Sequence, residues 1–366
     1  MSTKKDKFTS KDKIFMKLAI NLASERVGLT GNNPAVGCVI TKKDQLISTG
    51  QTSLKGKPHA EYNAIKNCKE SLKGSSIYIS LEPCTHYGKT PPCTNKIIKA
   101  NISKVYYAID DIDLRTANKA FSILKKKKIK VKRKLLLNDA KKLYKSYFFI
   151  KKSTYPFVTG KIACSNDLFI STKNKIITNQ FSRNFSHLLR YKNQGILISS
   201  KTLNSDNSML TCRLNGLERF SPVRLILDKD LSIKTNLKIF KNTKKIKTYI
   251  FFNKSNYKKE KLLKKLGAKL LKSDLDFEKK FNINIILKKI KKLGINYLLV
   301  EGGNKLTLSF VKNRLFNEFY LFKSNMKLGS KGKIDISKIL RKLNYIFKYK
   351  KKINTYLDKD ELLNYY

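Results

Sequence analysis

Pro58-His59-Ala60-Glu61, followed by Leu81-Glu82-Pro83-Cys84-Thr85-His86-Tyr87-Gly88-Lys89-Thr90-Pro91-Pro92-Cys93, is the stretch on which the reading of this chain turns. One imidazole and two thiolates, from His59, Cys84 and Cys93, give one zinc ion per chain three protein ligands. The fourth position stays open to water, which is the ligand count of a catalytic rather than a structural zinc. Zinc in such a site lowers the pKa of its water to about 7. Glu61, two residues after His59, lies near the metal and is free to carry protons. The chain has only 3 histidines, and both cysteines follow a proline, which argues against three unrelated buried side chains.

Hydrophobic periodicity places the motif in an α/β domain. A helix is expected from Ile14 to Glu25, with Ile14, Phe15, Leu18 and Leu22 on one face. Strands are expected around Val36–Ile40, Gln45–Gly50, Ser76–Leu81 and Ser103–Ile109. The zinc ligands then fall at the start of a helix after Pro58, just past the Ser76–Leu81 strand, and at the start of a short helix after Cys93. That last helix start favours a thiolate. Lys125–Lys134 reads as a solvated helix end and an edge strand, and Lys141–Lys152 as an aromatic-rich closing helix. The order predicts three layers. From Tyr155 onward, apolar strands alternate with longer helical segments, predicting a mostly parallel sheet with crossover helices.

At 366 residues the chain has length for two domains, and 41% hydrophobic content lets both bury a core. The formal charge of +53 suggests a nucleic-acid binder. The basic residues, however, run through both halves and are nearly all lysine, so no nucleic-acid partner is expected; the excess helps attract a phosphorylated substrate. Six cysteines in a chain this long fit a reducing cytoplasm better than a disulfide framework. Met1–Lys13 is polar and does not read as a secretory signal, and no apolar run is long enough to span a membrane.

His-x-Glu followed by Pro-Cys and a second Cys is the signature of zinc deaminases acting on amino-substituted pyrimidines or purines. Nucleic-acid and nucleoside deaminases close with Pro-Cys-x-x-Cys, whereas here a Gly88-Lys89-Thr90-Pro91-Pro92 turn precedes Cys93. With Asn33-Pro34-Ala35-Val36-Gly37-Cys38-Val39 upstream, the first half resembles the deaminase half of the bifunctional riboflavin-biosynthesis deaminase/reductase, which has a cytidine-deaminase-like fold. Three later segments resemble the reductase half, which has a dihydrofolate-reductase-like fold. They are Lys161-Ile162-Ala163-Cys164-Ser165-Asn166-Asp167, Thr202 through Arg213, and Val300-Glu301-Gly302-Gly303. The resemblance implies a deaminase domain at 12–150, a linker at 151–154 and a reductase domain at 155–366.

The resemblance also implies roles. Asn33 and Lys89 hold the pyrimidine phosphate in the deaminase site, although Asn33 in its turn also reads as a turn-stabilising residue. Lys161 and Glu301 face the ribose, with Lys161 polarising the ring oxygen. Asn174, Arg190, Leu210 and Arg213 hold the phosphorylated sugar. Ala163, Ile176, Thr202, Asp206, Gly303, Asn304, Lys305 and Leu306 line an NADPH site, where glycines at a strand-to-helix turn admit a phosphate. His187, on the helical pattern Phe185–Tyr191 with no partner in sequence, reads as structural. The family's Asp-Pro-Asn-Pro and Gly-x-Gly become Asp111-Ile112-Asp113-Leu114 and Asn118-Lys119-Ala120; its Asp-Gly becomes Asp167-Leu168; and Ile176 stands where an aromatic residue walls the cofactor pocket. The implied activity is hydrolytic deamination of a phosphoribosylated diaminopyrimidinone, followed by NADPH-dependent reduction of its ribosyl chain, in a homo-oligomer. The rival readings are a deaminase with an inactive second domain and a nucleic-acid (tRNA) deaminase.

Overall fold

The computed structural model describes residues 8–88, 90–170 and 177–366, and separates into a first unit ending at Lys152 and a second beginning at Ser153. Among the described residues no helix is long and apolar enough to cross a membrane.

The first unit opens with α1 (Ser10–Ser24). Thr9 caps it reciprocally: its hydroxyl accepts from the Asp12 N–H at 3.1 Å, and the Asp12 carboxylate accepts from the Thr9 N–H at 2.9 Å. There follow β1 (Gly37–Lys42), β2 (Gln45–Gln51), α2 (Ala60–Asn67), β3 (Ser76–Ile79), α3 (Cys93–Lys99), β4 (Lys104–Tyr107), α4 (Lys119–Lys126), β5 (Lys130–Arg133) and α5 (Leu137–Lys152). The sheet order is β2-β1-β3-β4-β5, with β1 antiparallel to β2 and β3, and the β3–β4 and β4–β5 pairs parallel. Lys43 and Asp44 both have positive φ, giving the tight two-residue turn that matches strand twist between β1 and β2. A side chain at Gly50 would collide with the Ala60 carbonyl of α2, so glycine there lets the helix carrying Glu61 lie directly on the sheet. The Lys125–Lys134 run is the end of α4 and the edge strand β5. Lys151 and Lys152, expected to open a linker, instead form the last turn of α5, where cations suit the negative end of the helix.

The second unit carries β6 (Phe157–Cys164), β7 (Phe169–Ile170), α6 (Gln180–Lys192), β8 (Gly195–Ser199), α7 (Ser200–Asp206), β9 (Val223–Leu227), β10 (Thr248–Phe252), α8 (Tyr257–Lys265), β11 (Lys269–Lys272), α9 (Ile283–Lys292), β12 (Tyr297–Val300), α10 (Asn304–Lys312), β13 (Glu318–Lys323), β14 (Ile334–Asp335), α11 (Ser337–Ile346), β15 (Lys350–Lys352) and β16 (Glu361–Tyr365). Its main sheet runs β11-β10-β9-β8-β12-β6-β13-β16-β15, parallel from β11 to β13 and antiparallel at β16 and β15. Leu197, Leu298 and Val300 pack into one core, while Ile196, Ile198 and Leu299 pack into another. Both faces of the sheet are therefore covered, which is why these strands read as unbroken apolar runs. The apolar runs that predict strands in this unit, 157–162, 195–199, 223–227, 248–252, 297–300 and 318–322, leave out β7, β11, β14, β15 and β16. β15 is three exposed lysines held by pairing with β16, a pattern that carries no hydrophobic period.

Two positions that depart from the family pattern keep a left-handed backbone without glycine: Asn118 at φ 60° and Leu168 at φ 66°. Asparagine enters that region readily, leucine at a steric cost.

Candidate active sites

In the first unit the pocket lies beyond the carboxyl ends of the parallel neighbours β3 and β4. His59 is the N-cap of α2, following a cis Lys57–Pro58 bond, and Glu61 lies in its first turn. Cys84 follows β3, and Cys93 opens α3 behind Pro92. His59 Nδ1 lies 3.7 Å from Cys84 Sγ and 3.4 Å from Cys93 Sγ, and the three ligand atoms fall within 4.8 Å of one another. Tetrahedral zinc with bonds of about 2.3 Å to sulfur and about 2.0 Å to nitrogen needs such atoms about 3.6 Å apart. The donor set fits zinc in both chemistry and spacing.

The electrostatics suit a cation. The Cys84 thiol is held down at about 4, first by the Cys93 thiol and also by His59 and the Cys93 N–H, which donates to it at 3.2 Å. Cys93 is pushed up by its hydrogen bond with Cys84 and by burial. Glu61 is 3% exposed, and burial and then the negative Cys84 push its carboxyl up.

The remaining walls of this cavity of about 180 Å³ include Asn33, Glu82, His86, Asp111, Asp113, Arg115, Tyr147 and Lys151. The Asn33 side chain donates to the Gly56 carbonyl at 2.9 Å. Glu82, which sequence reasoning passed over, accepts the N–H groups of Asp111, Asn118 and Ala120 at 3.1, 3.0 and 3.1 Å. It thereby ties the loop after β4 to the pocket. Asp113 is forked by Arg115 at 2.9 and 2.6 Å, which holds its carboxyl well below the usual range. Lys89 lies outside the described residues.

In the second unit a cleft of about 340 Å³ lies at the carboxyl ends of β8, β12 and β6, where open parallel sheets bind ligands. Lys161, Ala163, Arg190, Thr202, Asp206, Arg213, Glu301 and Gly303 all line it. A side chain at Gly303 would come within 3.0 Å of the Thr202 hydroxyl, so glycine keeps that passage open. Glu301 is clamped by Arg190, whose Nε and Nη2 donate to its two oxygens, each at 2.8 Å. Burial alone would raise the Glu301 carboxyl, but Arg190 and Lys161 hold it down at about 2. Burial lowers the Lys161 amine, with Glu301 opposing.

Several expectations change here. The Arg190 fork, expected to serve a phosphate, is committed to the largely desolvated Glu301 carboxylate, and its Nη1 to the Thr211 carbonyl at 3.1 Å. The Leu210 side chain packs in the core at 2% exposure, with φ 54°. Leu306 packs in the other core, and Asn304 and Lys305 form the first turn of α10 without lining the cleft. Asn174 and Ile176 lie outside the described residues. His187, read as structural, lines the cleft, as do Ile177, Thr178, Arg183 and Ser186. The i, i+3 spacing of His187 and Arg190 was the available signal.

Residues 156–353 match the model of the RibD C-terminal domain, and residues 9–109 that of the cytidine and deoxycytidylate deaminase zinc-binding region. The chain is 37% identical to the riboflavin biosynthesis protein RibD of Aquifex aeolicus, covering 85% of this chain and 86% of the relative. It is 34% identical to that of Bacillus amyloliquefaciens, covering 87% and 85%. The solved RibD of Acinetobacter baumannii superposes with a TM-score of 0.79 at 28% identity, over 97% of this chain and 98% of that one. The Thermotoga maritima diaminohydroxyphosphoribosylaminopyrimidine deaminase/5-amino-6-(5-phosphoribosylamino)uracil reductase gives the same values. A three-ligand pocket ahead of a doubly covered parallel sheet, matched over nearly the whole chain by these relatives, places the protein in the RibD family of riboflavin biosynthesis proteins.

Proposed function

We propose that the chain performs two successive steps of riboflavin biosynthesis. The first unit hydrolytically deaminates 2,5-diamino-6-ribosylamino-4(3H)-pyrimidinone 5′-phosphate, and the second reduces the ribosyl side chain of the product to ribityl. The observation that carries this is the pairing of a His59–Cys84–Cys93 cluster beside buried Glu61 with a separate cleft holding Lys161, Arg190 and Glu301.

His59, Cys84 and Cys93 hold the zinc, which when bound supplies a Lewis acid that activates water. Glu61, buried beside the three ligands, would take a proton from that water and deliver it to the departing ammonia. Asn33 orients the pyrimidine, and Lys89 pairs with the phosphate.

In the second cleft NADPH, when bound, supplies hydride to C1′ of the opened ribose. Thr202, Asp206, Ala163 and Gly303 line its place, and Ile176 is assigned to the same site by the family pattern alone. Lys161 polarises the ring oxygen, Glu301 faces the ribose, and Asn174 and Arg213 hold the phosphorylated sugar. The cleft's work is to bring donor and acceptor carbons together. The partner is this small molecule rather than nucleic acid, the enzyme works as a homo-oligomer, and six cysteines outside any disulfide suit a cytoplasmic setting.

Purified protein given the diaminopyrimidinone phosphate is expected to release ammonia without NADPH and to oxidise NADPH only after that release. Ammonia release without any NADPH oxidation would reduce the protein to a deaminase. Neither reaction would overturn the whole reading.

A further inference from the structure

Helix α6 sets His187 and Arg190 one turn apart, so both reach the same acceptor. The Thr211 carbonyl takes the His187 Nδ1–H at 3.1 Å and an Arg190 Nη1–H at 3.1 Å. A carbonyl oxygen only accepts, so the ring hydrogen of His187 is on Nδ1 and Nε2 presents its lone pair. Into that lone pair Arg213 donates its Nε–H at 3.3 Å. With the Arg190–Glu301 fork, one chain of hydrogen bonds runs from Glu301 through Arg190, Thr211 and His187 to Arg213. Arg213 is itself exposed, yet its side chain lines the cleft alongside buried His187. Among the described residues, Nε is the Arg213 atom bonded to the protein, which leaves both Nη groups for a ligand.

We infer that His187 is a positioning residue for the second reaction: as a neutral hydrogen-bond acceptor it holds Arg213 so that its Nη pair meets the anionic phosphorylated sugar of the substrate. A long, rotamer-rich side chain presented this way loses less freedom when substrate arrives. Burial, and then Arg190 and Arg213, hold the imidazole down at about 4, so it remains an acceptor at neutral pH. An apolar residue of similar size would fill the space but leave Arg213 unheld. The inference rests on the reading of this cleft as the reductase site.

The test uses the full-length zinc-loaded protein, supplied with deaminated aminouracil phosphate and NADPH. His187→Asn keeps a donor for Thr211 but is too short to reach Arg213, and His187→Leu removes both bonds. His187→Gln can place an oxygen where Nε2 stood. His187→Asn and His187→Leu are expected to raise KM for the aminouracil phosphate about tenfold, with KM for NADPH and ammonia release within about twofold of wild type. His187→Gln is expected to recover most of the loss. His187→Asn combined with Arg213→Ala is expected to be no worse than Arg213→Ala alone, because both remove one interaction. Losses that multiply in the double variant, a His187→Gln no better than His187→Leu, or an equal rise in KM for NADPH would each overturn the positioning role. Should His187→Leu fail to fold, His187→Asn and the double variant decide alone. A wild type that oxidises no NADPH would overturn the cleft assignment itself, and this inference with it.

Discussion

Glu61, which is buried, and Glu301, 12% exposed, both stand beside the opening of a helix, yet their surroundings drive them in opposite directions. Burial, and then the negative Cys84, push the Glu61 carboxyl up. Glu301 meets the Arg190 fork and the Lys161 amine, and its carboxyl falls to about 2. A carboxyl with a raised pKa sits closer to the range where it can both take and return a proton. One clamped by a guanidinium stays an anion throughout and acts as a fixed point of charge. The same residue type thus suits a proton carrier in one setting and a fixed charge in the other, and the neighbours decide which.

The sharpest way to break this contrast is at the carrier. Glu61→Gln is expected to keep zinc but to slow ammonia release by about 10²–10⁴-fold, the range lost with a general acid–base group. Reduction of separately supplied aminouracil phosphate should stay within about twofold. Cys84→Ser and Cys93→Ser should instead lose metal and deamination together, which metal analysis on the same preparations separates from the Glu61 effect. Near-normal turnover of Glu61→Gln would hand the proton role to another group.

At the fixed charge the larger effect falls on stability. Arg190→Met leaves the cleft-lining Glu301 carboxylate without its guanidinium and is expected to cost about 1–3 kcal/mol by denaturant unfolding. Adding Glu301→Gln should restore much of that, because the uncompensated charge is gone. Glu301→Gln alone should retain zinc and deamination while losing NADPH oxidation. A milder effect appears in acid. The Glu301 pKa is lower folded than unfolded, so its contribution is full above about pH 4.5 and drains away as pH falls toward about 2. Stability of Glu301→Gln should therefore fall less steeply than wild type across that window, and parallel curves would show that Glu301 does not carry the acid sensitivity.

The smallest expected effect concerns the loop that Glu82 ties to the first pocket. Asn118 already sits in the left-handed region, so Asn118→Gly should change stability by less than about 1 kcal/mol and leave ammonia release unchanged. A large gain would mean that the loop is strained where the family has glycine.

The zinc trio and Glu61 were legible because few residues and strong chemistry specify them: His59, Cys84 and Cys93 lie at successive helix starts and a strand end within one short stretch. The parallel strands of the second unit were legible for a different reason, since a sheet covered on both faces leaves continuous apolar runs. The all-lysine strand β15 was illegible because pairing with β16, not its own pattern, makes it a strand. Glu82 lies within the motif, but its three backbone partners, in the loop after β4 and the start of α4, are 29, 36 and 38 residues on. His187 had no partner in its own helix pattern; its partners are Thr211 and Arg213, and the chain they form ends at Glu301, 111 residues from Arg190. Sequence alone determined the ligand chemistry, the α/β class and most strands, because those depend on residue type and local period. Which cleft arginine is tied to Glu301 and which, among the described residues, keeps its Nη groups unbonded is visible only in the fold, because Arg190 and Glu301 are 111 residues apart in sequence yet 2.8 Å apart in space.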